Sequence, residues 1–134
     1  MTGLLLDWSD GGYALIYQSG RQRPLRIDFA STRLHHRRSR GGTELLAKAA
    51  AVSGGMRVLD CTAGLGTDSF VLASRGCHVD MVERSHTLYL MLEDALVRAR
   101  KDEGVKAIVE RMSLMRGDAC YVMDRLTYVP DVVI

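Results

Sequence analysis

Val58-Leu59-Asp60-Cys61-Thr62-Ala63-Gly64-Leu65-Gly66-Thr67-Asp68 is the stretch that decides the fold. A short apolar run ends in an acid, two glycines follow with one residue between them, and helix-forming residues continue to Arg75. That order reads as strand, tight turn, helix: Met56–Asp60 as the strand, the glycines as the elbow, and Gly66 to Arg75 as the helix. Gly76 is placed to close the helix in a left-handed cap. Cys77–Val82 is then the next strand. Leu88, Met91, Leu92, Ala95, Leu96 and Ala99 recur at i, i+3, i+4, i+7 and predict a helix with one buried face. Ser113–Met115 reads as a third strand, Asp118–Leu126 as a third helix, and Asp131–Ile134 as the start of a fourth strand. Strands alternating with helices at this spacing imply parallel pairing through right-handed crossovers, and so a doubly wound α/β sheet.

Upstream, the strong helix formers of Thr43–Val52 stand behind a threonine cap and before Ser53-Gly54-Gly55. Leu4–Leu6, Tyr13–Gln18 and Leu25–Phe29 are short apolar or alternating runs separated by turn residues, and predict a small β-rich lead-in. Residues 31–42 are polar and cationic and read as a surface loop. The chain therefore divides into residues 1–42, the lead-in and basic loop, and residues 43–134, the α/β unit.

Composition bounds the possibilities. The chain has 134 residues, 47% of them hydrophobic and 25% charged, which suits one domain around one core. No run approaches the roughly 18 consecutive apolar residues of a membrane span. No basic segment followed by an apolar run opens the chain, so no secretory signal is expected, and the cytoplasm is the expected compartment. Cys61, Cys77 and Cys120 make no close pair, which predicts neither a disulfide framework nor a zinc site. His78 and His86 read as ordinary strand and helix-start residues, and no metal is expected. The net charge of +2 is unevenly placed. Residues 1–42 hold seven Arg against three Asp, and residues 43–134 hold eleven Lys or Arg against thirteen acids. A basic lead-in on a mildly acidic body points to a polyanionic partner.

The glycine elbow lies at the carboxyl end of its strand, where open α/β sheets bind ligands. Gly64 and Gly66 allow a ligand to approach the main chain closely, although a plain tight turn would use them as well. A dinucleotide fold expects G-x-G-x-x-G with a helix N-terminus aimed at a pyrophosphate. Here the third glycine is absent and Asp68 stands near the helix start, where a carboxylate repels a pyrophosphate and suits a cation. S-adenosylmethionine carries a sulfonium and an ammonium and no phosphate, so the electrostatics favour it as cofactor. Asp60 can accept from its ammonium group, directly or through water. Glu83 closes the second strand, 17 residues after Gly66, where an acid can take both hydroxyls of a ribose. Arg84 follows at the rim. Asp118 is read as the acid that ends the third strand, where a polar group can reach an adenine amine. Glu83 and Asp118 also fit as caps of the helices that follow them. A nicotinamide-dependent oxidoreductase and a non-catalytic nucleic-acid-binding module are the competing readings.

With those residues in view, the chain resembles the bacterial 16S ribosomal RNA guanine-N2 methyltransferases of the small-subunit J type. The resemblance runs from about Ile27 to Ile134. It rests on Ile27-Asp28-Phe29, His36-Arg37-Arg38 with Gly41-Gly42, Lys48-Ala49, the run from Asp60 to Ala73, and Val82-Glu83-Arg84. It implies the Rossmann-like sheet of class I S-adenosylmethionine-dependent methyltransferases, here with its first four parallel strands. It also implies methyl transfer to the exocyclic amine of a guanine in 16S ribosomal RNA or the small subunit. The implied cofactor contacts fall on Thr67 and Asp68, Glu83 and Arg84, and Asp118 and Ala119, beside Asp60, Ala63, Gly64 and Gly66 of the elbow. The family more often has Arg at position 67 and two serines at 118–119.

In that family the fourth strand runs into an Asp-Pro-hydrophobic-Phe-Pro motif that holds the target base. There an Asp and a main-chain carbonyl can accept the amine hydrogens while an aromatic stacks on the guanine, a positioning effect more than acid–base chemistry. The chain ends at Ile134, short of that motif, so it reads as a truncated product and no catalytic residue is assigned. His36, Arg37, Arg38 and Arg40 are the expected RNA contacts, with arginine supplying forked donors to phosphate. A solvated cationic loop, or His36 as a hydrogen-bond donor beneath the cofactor pocket, would use the same residues.

Overall fold

The computed structural model describes residues 3–31 and 53–134, together with Lys48 and Ala51. The basic residues His36, Arg37, Arg38 and Arg40, and all but those two residues of the expected helix over 43–52, lie outside the described part. The elements in chain order are β1 (Leu4–Ser9), β2 (Gly12–Tyr17), β3 (Arg57–Asp60), α1 (Thr67–Ser74), β4 (His78–Glu83), α2 (His86–Ala99), α3 (Lys106–Val109), β5 (Met112–Arg116), α4 (Ala119–Asp124) and β6 (Val132–Val133).

The expected parallel sheet is present, in the order β5-β4-β3-β6. β3 pairs with β4 from Arg57↔His78 to Asp60↔Met81 and with β6 at Val58↔Val132 and Leu59↔Val133. β5 pairs with β4 from Val79↔Met112 to Glu83↔Arg116. Helices on both faces leave the strands little solvent, and Val58, Leu59, Val79, Met81 and Val82 are fully buried. Each such side chain contributes about 1.5–3 kcal/mol. The order places the carboxyl ends of β3, β4 and β5 side by side, which brings three loops together at one edge.

β1 and β2 form the expected antiparallel hairpin, but Leu25–Phe29 is no third strand. Among the described residues only Leu25 of this run makes a bridge, to Leu15. Beyond it the Asp28 side chain accepts from the Ala30 amide at 2.9 Å and Ser31 N donates to the Asp28 carbonyl, so the chain turns. The alternation of Ile27 and Phe29 is nonetheless real, because both are buried in the core cluster that also holds Phe70 and Leu92. The hairpin is fastened to α2 by Asp94, which accepts from Tyr13 N at 3.0 Å and from Arg98 Nε at 3.1 Å. Arg98 Nη2 in turn donates to the Ile27 carbonyl at 2.7 Å.

At the opposite, amino-terminal edge of the sheet, Asp80 gathers hydrogen bonds from the Ser113 and Tyr128 hydroxyls and from Arg57 Nε. The Arg57 guanidinium also lies 3.3 Å from the Tyr128 ring centroid. Burial pushes the Asp80 carboxyl up, but the hydrogen bonds from Ser113, Tyr128 and Arg57 and the Arg57 charge outweigh it and hold the group below its ordinary value. Burial, followed by the bond to Asp80, pushes the Tyr128 phenol up to about 12. The two shifts carry opposite signs in pH. Asp80 adds stability that is complete above the ordinary aspartate value of about 3.9 and is lost as pH falls through its lowered one. Tyr128 adds stability that is complete below about 10 and is lost as pH rises through about 12. Tyr128→Phe should therefore cost about 1 kcal/mol near neutrality and flatten the alkaline fall of the melting temperature. Asp80→Asn should flatten the acid fall. Melting curves recorded from pH 3 to pH 11 check both.

Candidate cofactor cleft

The loops after β3, β4 and β5 enclose a cavity of about 350 Å³ lined by Cys61, Thr62, Gly64, Val82, Glu83, Arg84, Gly117, Asp118 and Ala119. Glu83, the last residue of β4 and only 8% exposed, stands in its wall. One carboxylate oxygen accepts from the Gly64 amide at 3.0 Å and the other from the Ser85 amide at 3.0 Å. Each oxygen keeps a second lone pair, so the group is fixed in place and still able to accept. The helix cap after Glu83 is Ser85, whose hydroxyl accepts from Leu88 N at 3.3 Å. Asp118 is the cap of α4, with Oδ1 accepting from Cys120 N at 2.9 Å, and it also stands in the cavity wall. The capping reading thus holds for Asp118, whose residue also lines the cavity.

Five of the sequence-predicted residues meet at this cavity: Gly64, Glu83, Arg84, Asp118 and Ala119. The other five stand behind or beside it. Asp60 is 3% exposed, and both its oxygens are engaged within the loop, Oδ1 by Thr62 N at 3.0 Å and Oδ2 by the Ser69 hydroxyl at 2.6 Å. Ala63 is buried, its amide directed to the Val82 carbonyl. Gly66 has φ +75° and caps α1. A Cβ there would lie 2.9 Å from Leu92 Cδ2 and 3.0 Å from Phe29 Cζ, so the absence of a side chain serves close packing. Thr67 and Asp68 form the first turn of α1.

Sequence reasoning passed over Cys61, Thr62, Val82 and Gly117 as lining residues, although each adjoins a predicted one. Ser69 was also missed, and no spacing rule points to it. It is the buried hydroxyl that steadies Asp60.

The field of the loop is acidic. Burial raises the Asp60 carboxyl above its ordinary value against the Ser69 and Thr62 hydrogen bonds, and the charges of Asp68 and Glu83 add to the rise. Burial likewise pushes the Cys61 thiol up, with Asp60 and Cys120 adding to it. With Glu83, Asp118 and Arg84 in its wall and the Asp60 and Asp68 charges acting on the same loop, the cleft carries a surplus of acids, which favours a cationic ligand over a diphosphate. Among the described residues, no group of His, Cys, Asp and Glu could hold a metal ion.

A family model described as SAM-dependent methyltransferase matches residues 4–134. The chain is 48% identical over 105 residues to a ribosomal RNA small subunit methyltransferase J from Dechloromonas aromatica, a match covering 75% of this chain and 43% of that protein. It is 42% identical over 134 residues to a protein of the same name from Pseudomonas fluorescens, covering 90% of this chain and 52% of that one. The chain spans about half the length of the curated relatives it matches. A crystal structure of a SAM-dependent methyltransferase from Neisseria gonorrhoeae superposes with a TM-score of 0.85 at 32% identity. That match covers 98% of this chain and 55% of that one.

Proposed function

Because the chain belongs to the SAM-dependent methyltransferase family, we propose that the Gly64–Glu83–Asp118 cleft holds S-adenosylmethionine. We propose further that the whole enzyme methylates the N2 amine of a guanine in 16S ribosomal RNA, free or in the small subunit. The observation that carries the cofactor assignment is the buried Glu83 carboxylate, held by two main-chain amides in the cavity wall.

The donor set fits the group. Glu83 would accept from both ribose hydroxyls, Asp118 and the main chain at Ala119 would meet the adenine edge, and Val82 supplies an apolar wall. The acids around the elbow balance the positive methionine end. When bound, the cofactor supplies a methyl group activated on a sulfonium. This chain's residues bind and orient. Thr67, Asp68 and Asp60 act in this reading by shaping the elbow and its field, and Arg84 closes the rim.

The RNA assignment follows the relatives' names and the concentration of arginine in the lead-in, with His36, Arg37, Arg38 and Arg40 as proposed phosphate contacts. Residues 1–42 would serve as lead-in and basic arm, and residues 43–134 as the cofactor-binding part. No described helix is long and apolar enough to cross a membrane, and the proposed compartment is the cytoplasm, where ribosomes are made.

Calorimetric titration with S-adenosylhomocysteine and, separately, with NAD tests the cofactor. Binding is expected with the first and none with the second, because a diphosphate would meet an acidic elbow that lacks the third glycine. Heat from NAD alone would replace this reading with a dehydrogenase one.

A further inference from the structure

Phe29 lies in the lead-in, far from the glycine elbow in sequence, yet it forms the floor on which the elbow rests. It is 1% exposed, and its ring stacks on Phe70 of α1 with centroids 5.5 Å apart and planes at 18°. Its Cζ and Cε1 stand 3.0 and 3.2 Å from where a Gly66 Cβ would be. The space beside Gly66 is thus too small for even a methyl group, which places the Phe29 ring close beneath the elbow.

The elbow above is a short relay. Gly66 N donates to the Ala63 carbonyl at 2.8 Å, the Gly66 carbonyl accepts from Phe70 N at 2.9 Å, and Gly64 N donates to Glu83. The ring is held from withdrawing as well, because its segment is anchored two residues earlier. Arg98 holds the Ile27 carbonyl while Asp94 holds both Arg98 and Tyr13. The Asp28 turn then aims the next residue inward.

We infer that Phe29 is a positioning residue for the cofactor loop, acting through Gly66 to fix Gly64 against Glu83. The inference rests on the assignment of the cleft to S-adenosylmethionine for its ligand, but not for its geometry. A ring that merely filled core volume would change stability and leave the cleft as it was. A ring that sets the height of the elbow changes ligand affinity beyond any change in stability, since preorganisation is lost from a loop that must meet the ligand closely.

The test compares Phe29→Leu, Phe29→Met and Val105→Ala in the chain as it stands. Val105 is fully buried in the same core cluster, on the segment leading into α3. Phe29→Leu and Val105→Ala are both expected to lower the melting temperature. Only Phe29→Leu is expected to weaken S-adenosylhomocysteine binding, by about tenfold, with Phe29→Met recovering most of the loss because its side chain again reaches Gly66. Hydrogen exchange at the Gly64 amide, measured without ligand, is expected to speed up in Phe29→Leu and not in Val105→Ala. If the unaltered protein binds S-adenosylhomocysteine and Phe29→Leu binds it equally well, or if both variants weaken binding alike, the positioning role is overturned. If the unaltered protein does not bind it, the cofactor reading falls, and the Gly64 exchange alone decides. Unchanged exchange in Phe29→Leu overturns the inference, and selective acceleration supports it.

Discussion

Glu83→Gln should weaken S-adenosylhomocysteine binding by about 100-fold or more while leaving the protein folded. The carboxylate serves two clients at once, the amides of Gly64 and Ser85. Glutamine has one acceptor oxygen, so one of those buried N–H groups faces a second donor, at a cost of about 1–3 kcal/mol. A ribose diol loses as well, because charge-assisted hydrogen bonds contribute about 1.5–3 kcal/mol each. The binding loss alone, at about 1.4 kcal/mol per tenfold, gives the stated factor. Calorimetry against S-adenosylhomocysteine measures it, with exposed Glu103→Gln as the control. Unchanged affinity would remove Glu83 from the ligand's reach and move the cleft elsewhere.

The second large effect falls on stability. Gly66→Ala should cost about 3 kcal/mol. A non-glycine residue in the left-handed region costs roughly 1–2 kcal/mol, and here the added methyl would meet Leu92 Cδ2 at 2.9 Å and Phe29 Cζ at 3.0 Å. Neither neighbour yields easily, since both side chains are fully buried, and overpacking adds roughly 1–3 kcal/mol. Gly64→Ala provides the contrast. It too has positive φ, but the nearest atom to its Cβ is the Thr62 carbonyl oxygen at 3.8 Å, so only the backbone cost of about 1 kcal/mol applies. Denaturant unfolding of the two variants should separate them by about 2 kcal/mol. Equal losses would mean that the core gives way beneath Gly66.

The α/β order was legible because its signals are local. An apolar run, a glycine elbow, a helix period and the next apolar run each occupy a few adjacent residues, and β3, α1, β4 and α2 fall within one or two residues of where the pattern puts them. Signals that depend on distant partners were not legible. Leu25–Phe29 alternates as a strand does, but strand pairing needs a neighbour. Past Leu25 none is there among the described residues, and the side chains of Ile27 and Phe29 go to the core while the main chain turns. Lys106–Val109 is too short to show a period. At the site, sequence position places Asp60 at a strand tip but cannot show which way its carboxylate faces. The register Asp60↔Met81 and the Ser69 hydroxyl turn it inward. Glu83 stands at the end of β4 as Asp60 stands at the end of β3, so its place at the sheet edge was legible, but its carboxylate lines the cavity because the Gly64 and Ser85 amides hold it there.

The bracket around Arg57 has a consequence for the order of assembly. Arg57 and Asp131 exchange bonds at 2.8 Å, Arg57 N to the Asp131 carboxylate and Asp131 N to the Arg57 carbonyl, across 74 residues. The β3–β4 ladder joins Val58 to Val79 across only 21. Closing the longer loop costs about 1 kcal/mol more in chain entropy. On chain entropy β6 is expected to dock after β3 and β4 have paired, and hydrogen exchange should then be faster at the Ile134 amide than along the β3–β4 ladder.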